Sequence, residues 1–404
     1  MPYIERSLEP VLRRVARQFP VLVLTGPRQS GKTTLLRRLF RDTHRYVSLE
    51  PPDIRAAAVT DPRNFLELHA PPVIFDEVQY APDLLSYMKE RVDEHRSKKG
   101  QYVLTGSQNL LLAEGVTESL AGRAAMLRLL PLTSREAAAR PQEPLAWESK
   151  KPSVKPGLAY AALWRKLLRG SYPELAAQPA LEAPLWYGSY IQTYLERDVR
   201  SLRQVADLLQ FQAFLRALAA RTAQLLSLSD LARDLGIAVN TVKGWLSVLE
   251  ATYQIILLRP YFQNVGKRLV KAPKVYFTDT GTLCHLVGLR DPDHARTGPM
   301  AGAILETAVV SEIFRTILHR GEEPRLYFWR TSNGVEVDLI VDTGQALLPI
   351  EVKLSATPSP QMARGIESFR RDFGARAAKG LVIHPGDVKV PLGPAAMAIP
   401  FAEL

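Results

Sequence analysis

Two stretches of this sequence carry side chains whose types and spacing could do chemistry. In PVLVLTGPRQSGKTTLLRRLF, the run Gly26-Pro27-Arg28-Gln29-Ser30-Gly31-Lys32-Thr33 fits G-x-x-x-x-G-K-[ST] without a mismatch. Its glycines let the backbone curl so that N–H groups face a triphosphate at the positive end of a helix. Lys32 then reaches the β and γ phosphates, Thr33 holds Mg²⁺, and Thr34 completes the expected nucleotide-binding set. Further on, PPVIFDEVQ ends an apolar run in the adjacent acids Asp76 and Glu77. At the carboxyl end of a parallel strand the first acid can bind Mg²⁺ through water, and the second can polarise an attacking water. The implied chemistry is ATP hydrolysis, with ATP and Mg²⁺ as cofactors and Lys32 and Glu77 as the catalytic pair.

The second constellation lies far downstream, in EVDLIVDTGQALLPIEVK. Strand side chains alternate faces, so Glu351 and Lys353 share one surface while Val352 points away, with Asp338 on the preceding apolar segment. In GAILETAVVSEIFRTIL, Glu306 shares a helical stripe with Val310, Ile313 and Ile317. A carboxylate on a face that should be buried needs a cation or a hydrogen-bonded partner nearby. Taken together these groups are either a surface ion pairing or a metal-dependent active site. Three converging carboxylates would repel one another unless a divalent cation sat among them.

The elements that must hold these groups follow from the apolar pattern. Val21 to Thr25, Tyr46 to Leu49, Val73 to Phe75, Tyr102 to Leu104 and Met126 to Leu129 read as five strands separated by helices. That is a doubly wound parallel α/β sheet. The fourth strand leads into Thr105, Ser107 and Asn109, polar groups on the γ-phosphate side. REAAARPQEPLAWESKKPSVKPG, rich in Pro, Lys and Glu, reads as an exposed connector, and helical periodicity resumes at LAYAALWRKLLRG. LSLSDLARDLGIAVNTVKGWLSVLE has the form of a helix-turn-helix, in which Ser229 caps a helix ending at Leu235, Gly236 turns, and a second helix begins near Asn240. That second helix exposes Asn240, Thr241 and Lys243, groups suited to DNA phosphate and groove contacts. Such units also serve as protein docking surfaces or lid elements. ATYQIILLRPYFQN alternates as a hairpin would, which supplies a wing.

A chain of 404 residues exceeds one compact core and implies two or three domains. Its formal charge of +11 is spread along the sequence rather than held in a tail, which favours a polyanionic partner such as DNA. The single cysteine, Cys284, excludes an intrachain disulfide and a thiolate metal cluster. No apolar run reaches about 18 residues and MPYIERSLEP is no signal peptide, so the expected location is cytoplasmic, with no membrane partner.

With these residues identified, the chain resembles AAA+ ATPases that carry a glutamate on the second motif. Over nearly its whole length it resembles one family, bacterial and archaeal AAA+ ATPases with a C-terminal nuclease-like domain of unknown function. RQFPVLVLTGPRQSGKTTL, VIFDEVQ, LTGSQNLLL, LAGR, YPE, TYLERDV and the EVDLIV with IEVK pair carry the likeness. It implies a P-loop AAA+ core at residues 1–135, a helical lid at 136–220, a winged helix-turn-helix at 221–262 and a PD-(D/E)xK, restriction-endonuclease-like α/β domain at 263–404. It also implies a polar sensor at Ser107 or Thr105, and an arginine at Arg123 that completes a neighbouring subunit's site in a homo-oligomer. Pro173 would pack on adenine, with Ser171 where relatives have glycine. In the last domain Asp338 and Glu351 would be metal ligands, Glu306 would hold metal or water, and Lys353 would act on the scissile phosphate. Three functions fit: an ATP-hydrolysing DNA-binding protein whose nucleotide state controls DNA engagement, an ATP-gated metal-dependent nuclease, or an ATP-gated signalling or defence protein whose last modules bind protein.

Overall fold

The computed structural model describes residues 2–106, 116, 119–148, 160–195, 208–261 and 272–404. Five strands form the first sheet: β1 (Val21–Thr25), β2 (Arg45–Ser48), β3 (Val73–Asp76), β4 (Tyr102–Thr105) and β5 (Ala124–Arg128). They pair in the order β2-β3-β4-β1-β5, every neighbour parallel. β1, β3 and β4 are buried along their whole length. Helices cover both faces of the sheet, which is why these strands read as unbroken apolar runs. Val21, Val23, Val73 and Phe75 pack with Leu84, Leu85 and Met88 of the Leu84–Glu94 helix on one face. Leu22, Leu24, Ile74 and Val103 pack with Leu35, Leu36 and Leu39 of the Lys32–Leu39 helix on the other. The doubly wound parallel sheet expected from the sequence is present, and the carboxyl ends of β1, β3 and β4 open on one rim.

The expected connector begins inside the protein instead of on its surface. The Ser134–Ala137 helix carries a capping box between Thr133 and Glu136, and Arg135 and Glu136 are both buried. Glu136 is buried because it is paired, while residues 137–140 beyond it are exposed as the composition predicts. Helices Tyr160–Arg169, Pro173–Ala177, Ala183–Tyr190 and Leu208–Ala219 follow. They share one apolar cluster with the next two helices, Leu228–Leu235 and Val239–Ala251. Gly236 ends the first of that pair at φ 64°, a left-handed conformation that lets the chain turn sharply. The cap is Ser227 rather than Ser229: Ser227 has extended backbone and its hydroxyl accepts from Asp230 N, whereas Ser229 is already inside the helix.

A second sheet joins β6 (Ile255–Pro260), β7 (Lys274–Phe277), β8 (Leu326–Arg330), β9 (Glu336–Asp342), β10 (Leu347–Val352), β11 (Gly380–His384), β12 (Val390–Leu392) and β13 (Ala396–Pro400). Its order is β12-β13-β11-β10-β9-β8-β6-β7. The wing expected from ATYQIILLRPYFQN is therefore corrected. Ile255–Pro260 is one strand, antiparallel to β7 and parallel to β8, so the boundary expected near residue 262 falls within the pairing of this sheet. Alternation identifies a strand's buried face but not the strand that lies beside it. The Ala301–His319 helix buries Ile304, Leu305 and Ala308 in one cluster with Leu339, Val341 and Ile350. On the other face Phe369 and Phe373 of the Arg364–Phe373 helix pack on Trp329, Ile340 and Leu347. Among the described residues no helix is long and apolar enough to cross a membrane.

Candidate functional site

The loop between β1 and the Lys32–Leu39 helix closes tightly. Gly26 has φ 147°, and a Cβ there would stand 2.1 Å from the Leu129 carbonyl oxygen, so the backbone approach requires glycine. Gly31 caps the helix at φ 93°, and a Cβ at that position would lie 3.8 Å from both Arg6 Nη1 and Pro173 Cγ. Lys32 is 6% exposed, and its Nζ donates to the loop's own carbonyls, Gly26 O at 2.9 Å and Pro27 O at 2.8 Å. Thr33 Oγ1 donates to Asp76 Oδ2 at 2.9 Å and the Tyr46 hydroxyl donates to the same oxygen at 2.6 Å. Burial and the bond to Asp76 push the Tyr46 phenol up, which keeps it a donor. Glu77 follows with left-handed backbone at φ 57°, and Gln79 Nε2 donates to its carboxylate.

These groups face a cleft of about 620 Å³ lined by Tyr3, Arg28, Lys32, Thr33, Glu77 and Pro173, among others. The structure thus gathers the Gly26 to Thr34 loop, the Glu77 of the acid pair and the expected adenine contact Pro173 at one rim, with Asp76 hydrogen-bonded to Thr33. The donor set fits ATP with Mg²⁺, since loop N–H groups and an ammonium suit phosphate and the Thr33 hydroxyl and Asp76 carboxylate are hard oxygen ligands. Of the two sensor candidates, Ser107 lies outside the described residues, as do residues 196–199 of TYLERDV. Thr105 stands in register with Asp76, and its hydroxyl is buried without a hydrogen-bond partner among the described residues. Arg123 sits just before β5 and forms a bidentate pair with Asp93 of its own chain, both contacts at 2.7 Å.

Behind the loop lies a buried polar network that the sequence reading missed. Arg6 Nη1 donates to Ser30 O at 2.8 Å, its Nη2 to Leu130 O at 2.6 Å, and its Nε stands 3.2 Å from Glu136 Oε2. Glu136 accepts from Ser7 N at 2.8 Å and Thr133 N at 2.9 Å, and His319 Nδ1 lies 3.1 Å away. Leu130 N donates to His319 Nε2 at 3.0 Å, which fixes the tautomer: Nε2 accepts, so Nδ1–H donates to Glu136. Burial holds His319 below the usual imidazole range, so the neutral ring is the resident form. The same helix bonds Ser134 N through Glu312 Oε1 at 2.7 Å, and Arg315 Nη1 donates to Ser171 Oγ. Ser171 also donates from N and Oγ to Asp279 Oδ1, each at 2.7 Å, which anchors the turn into Pro173. Thr133-x-x-Glu136 was a legible capping box. Nothing local marked Arg6 or His319.

In the C-terminal sheet the structure does bring Glu306, Asp338, Glu351 and Lys353 into one cluster. Lys353 Nζ donates to Glu351 Oε2 at 2.5 Å, and Val352 N to Asp338 Oδ2 at 2.8 Å. Glu306 Oε1 accepts from the Tyr276 hydroxyl at 2.6 Å. Beside Glu306 and Asp338 stands an ammonium. Lys274 Nζ lies 3.0 Å from Glu306 Oε1 and 3.9 Å from Asp338 Oδ1, and it also pairs with Glu336. Burial works against this charge, but the surrounding carboxylates, Glu306 first, outweigh it and hold the Lys274 pKa up. Burial and the Asp338 charge push Glu306 and Glu351 up. Among the described residues no three His, Cys, Asp or Glu side chains are arranged to hold a metal ion. In the helix-turn-helix, Asn240 and Lys243 are exposed and Thr241 is half-buried, while Val242, Trp245 and Leu246 face the core.

Comparison with known proteins divides the chain into three parts. Residues 18–138 match the AAA domain family, 160–293 a domain of unknown function (DUF8612), and 301–404 another (DUF4143). Uncharacterized proteins of Mycobacterium tuberculosis (Rv2008c) and Mycobacterium bovis (Mb2031c) are each 30% identical over 394 residues, which is 97% of this chain and 82% of theirs. Among solved structures, a Walker-type ATPase of Pyrococcus abyssi is similar at a TM-score of 0.44 and 15% identity, over 70% of this chain and 96% of its own.

Proposed function

The chain belongs to the family of the mycobacterial proteins Rv2008c and Mb2031c and opens with an AAA ATPase domain, and from that premise we propose an ATP-hydrolysing protein whose nucleotide state controls its grip on DNA. The observation that carries the reading is the rim where Thr33 is hydrogen-bonded to Asp76, with Lys32 and Glu77 beside it and Pro173 facing the loop. Thr33 and Asp76 would hold Mg²⁺, which when bound would offset charge developing on the phosphates. Lys32, once released from the Gly26 and Pro27 carbonyls, binds phosphate, Glu77 orients and deprotonates the attacking water, and Thr105 offers a hydroxyl beside Asp76. Arg123 would complete a neighbour's site only after exchanging Asp93 for that site's phosphate.

The DNA part of the reading is supported by the net charge of +11 and by the exposed Asn240 and Lys243 on the second helix of the turn. Control by nucleotide is supported by the bonded path from Ser30 through Arg6 and Glu136 to His319. Cleavage is left out of this function, because Lys274 occupies the cluster that a metal-dependent nuclease would need open.

The test is fluorescence anisotropy with labelled linear, forked and four-way DNA, using Glu77→Gln to hold the ATP state and Lys32→Ala as the nucleotide-free reference. The expected result is a Kd that differs by roughly tenfold between ATP-loaded and nucleotide-free protein, a coupling of about 1.4 kcal/mol. It should weaken steeply with salt. Equal affinities in both states would remove the control, and no binding at low salt would remove DNA as the partner.

A further inference from the structure

The carboxylate cluster differs from a metal site in having its cation built in. Glu306, Glu336, Asp338 and Glu351 supply four acidic groups, and Lys274, Arg330 and Lys353 answer them. Lys274 is the central one, touching three of the four, and it is 3% exposed. A surface lysine could swing aside into water for an incoming ion, but this one is buried, and two backbone pairings set where its side chain starts. Lys274 pairs with Leu258 across β6 and β7 on one side and bridges to Leu225 on the other. The residues flanking it are bonded as well, Pro273 O accepting from Leu226 N and Val275 O from Ala223 N, each at 2.8 Å.

Three of the four carboxylates also have one oxygen committed. Glu306 Oε1 takes both the Lys274 ammonium and the Tyr276 hydroxyl, Asp338 Oδ2 takes Val352 N, and Glu351 Oε2 takes Lys353. A divalent ion placed among them would stand a few ångströms from the Lys274 ammonium and be repelled by it. It would have to displace a buried ammonium from its carboxylates.

We infer that Lys274 is the resident cation of this cluster: its ammonium answers Glu306, Glu336 and Asp338, as Lys353 answers Glu351, so the C-terminal domain holds its four carboxylates together without a metal ion. The Leu225 to Leu258 segment that carries the helix-turn-helix meets Lys274 through its backbone, at Leu258 and Leu225. Removing the lysine side chain would leave Glu306, Glu336 and Asp338 facing one another without their shared cation.

Mn²⁺ titration followed by electron paramagnetic resonance tests this without nucleotide, in a Lys32→Ala background that silences the P-loop. With Lys274 present, Mn²⁺ up to millimolar concentration should remain free. A bound ion that disappears on adding Asp338→Asn would overturn the inference. Adding Lys274→Ala should lower the urea midpoint clearly, and Asp338→Asn on top of it should restore part of the loss by removing one of the repelling charges. A Lys274→Ala protein as stable as its parent would also overturn the inference. If that variant does not fold, the titration of the Lys274-containing chain decides alone, because it needs no change in the cluster.

Discussion

Glu136→Gln tests whether the network behind the nucleotide loop is as tightly specified as its geometry implies. Every partner of this carboxylate is a donor: Ser7 N and His319 Nδ1–H reach Oε1, while Thr133 N and Arg6 Nε reach Oε2. Glutamine keeps the shape but supplies one acceptor oxygen and one NH₂ group. Whichever way the amide turns, it confronts two donors with another donor. If the nitrogen replaces Oε1, Ser7 and His319 lose their acceptor, and if it replaces Oε2, Thr133 loses its acceptor and the Arg6 guanidinium its ion-pair oxygen. Arg6 is 3% exposed, so its charge cannot recover the loss from water. Breaking one partner of a buried ion pair costs about 3–5 kcal/mol, and unmaking two hydrogen bonds to a charged group gives a similar figure. Urea unfolding at pH 7.5 should therefore show a clear fall in midpoint against a control, Glu322→Gln, at an exposed carboxylate where a change within ~0.5 kcal/mol is expected. A Glu136→Gln midpoint indistinguishable from the control would refute the network's energetic role. It would also undercut Arg6 as a rigid support of Ser30.

Two further outcomes follow from the same geometry. His319→Gln should flatten the acid limb of stability. The wild-type ring is held neutral in the fold while the unfolded chain takes up a proton below about 6.5, so stability falls with pH there by up to ~1.4 kcal/mol per unit per proton, and an unchanged slope between pH 7 and 5 would reject the assignment. Lys32→Ala should reduce hydrolysis by roughly 10²-fold or more with loss of ATP binding, whereas Glu77→Gln should keep ATP in a calorimeter and release phosphate at a comparably reduced rate. Normal turnover in Glu77→Gln would show that another group handles the water.

What the sequence revealed depended on how local the physics was. The nucleotide loop was legible because its function is a property of consecutive residues: Gly26 and Gly31 permit the backbone path, and Lys32 and Thr33 lie where that path ends. β1, β3 and β4 were legible because parallel strands covered on both faces must be apolar throughout. Gly236 and the two helices around it were also local. The wing was not, because the alternation in Ile255–Pro260 is equally satisfied by a hairpin and by a strand in a larger sheet. Glu306 illustrates the middle case: its place on an apolar stripe asked for a cation or a hydrogen-bonded partner, and the structure supplies both in Lys274 and the Tyr276 hydroxyl, neither of which sequence could name. A lysine opening the short apolar run KVYF looks like a strand-end surface residue, and only the fold brings it among carboxylates far along the chain. Glu136 likewise carried a capping signature, yet its ion pair with Arg6 depends on contacts between segments more than a hundred residues apart.

The placement of Arg6 limits how the nucleotide loop can move. In the structure Lys32 is satisfied by the carbonyls of Gly26 and Pro27, so phosphate must compete with those bonds, and the loop must adjust when the ammonium turns outward. Ser30 lies in that loop, and its carbonyl is held by Arg6. Arg6 in turn is fixed at Leu130 O and at Glu136, so it cannot follow Ser30 without straining contacts that are already short. Both of those anchors end on one side chain, since Leu130 N and Glu136 each bond His319. From His319 the helix runs back to Glu306, thirteen residues or about 20 Å at 1.5 Å per residue. At that end Glu306 takes the Lys274 ammonium, whose strand is paired to the segment bearing the helix-turn-helix. The helix is held at one end by the hydrogen bond from the neutral His319 to Glu136 and at the other by the ion pair of Glu306 with Lys274, and the backbone ladder of β7 with β6 continues that connection to the segment bearing Asn240 and Lys243.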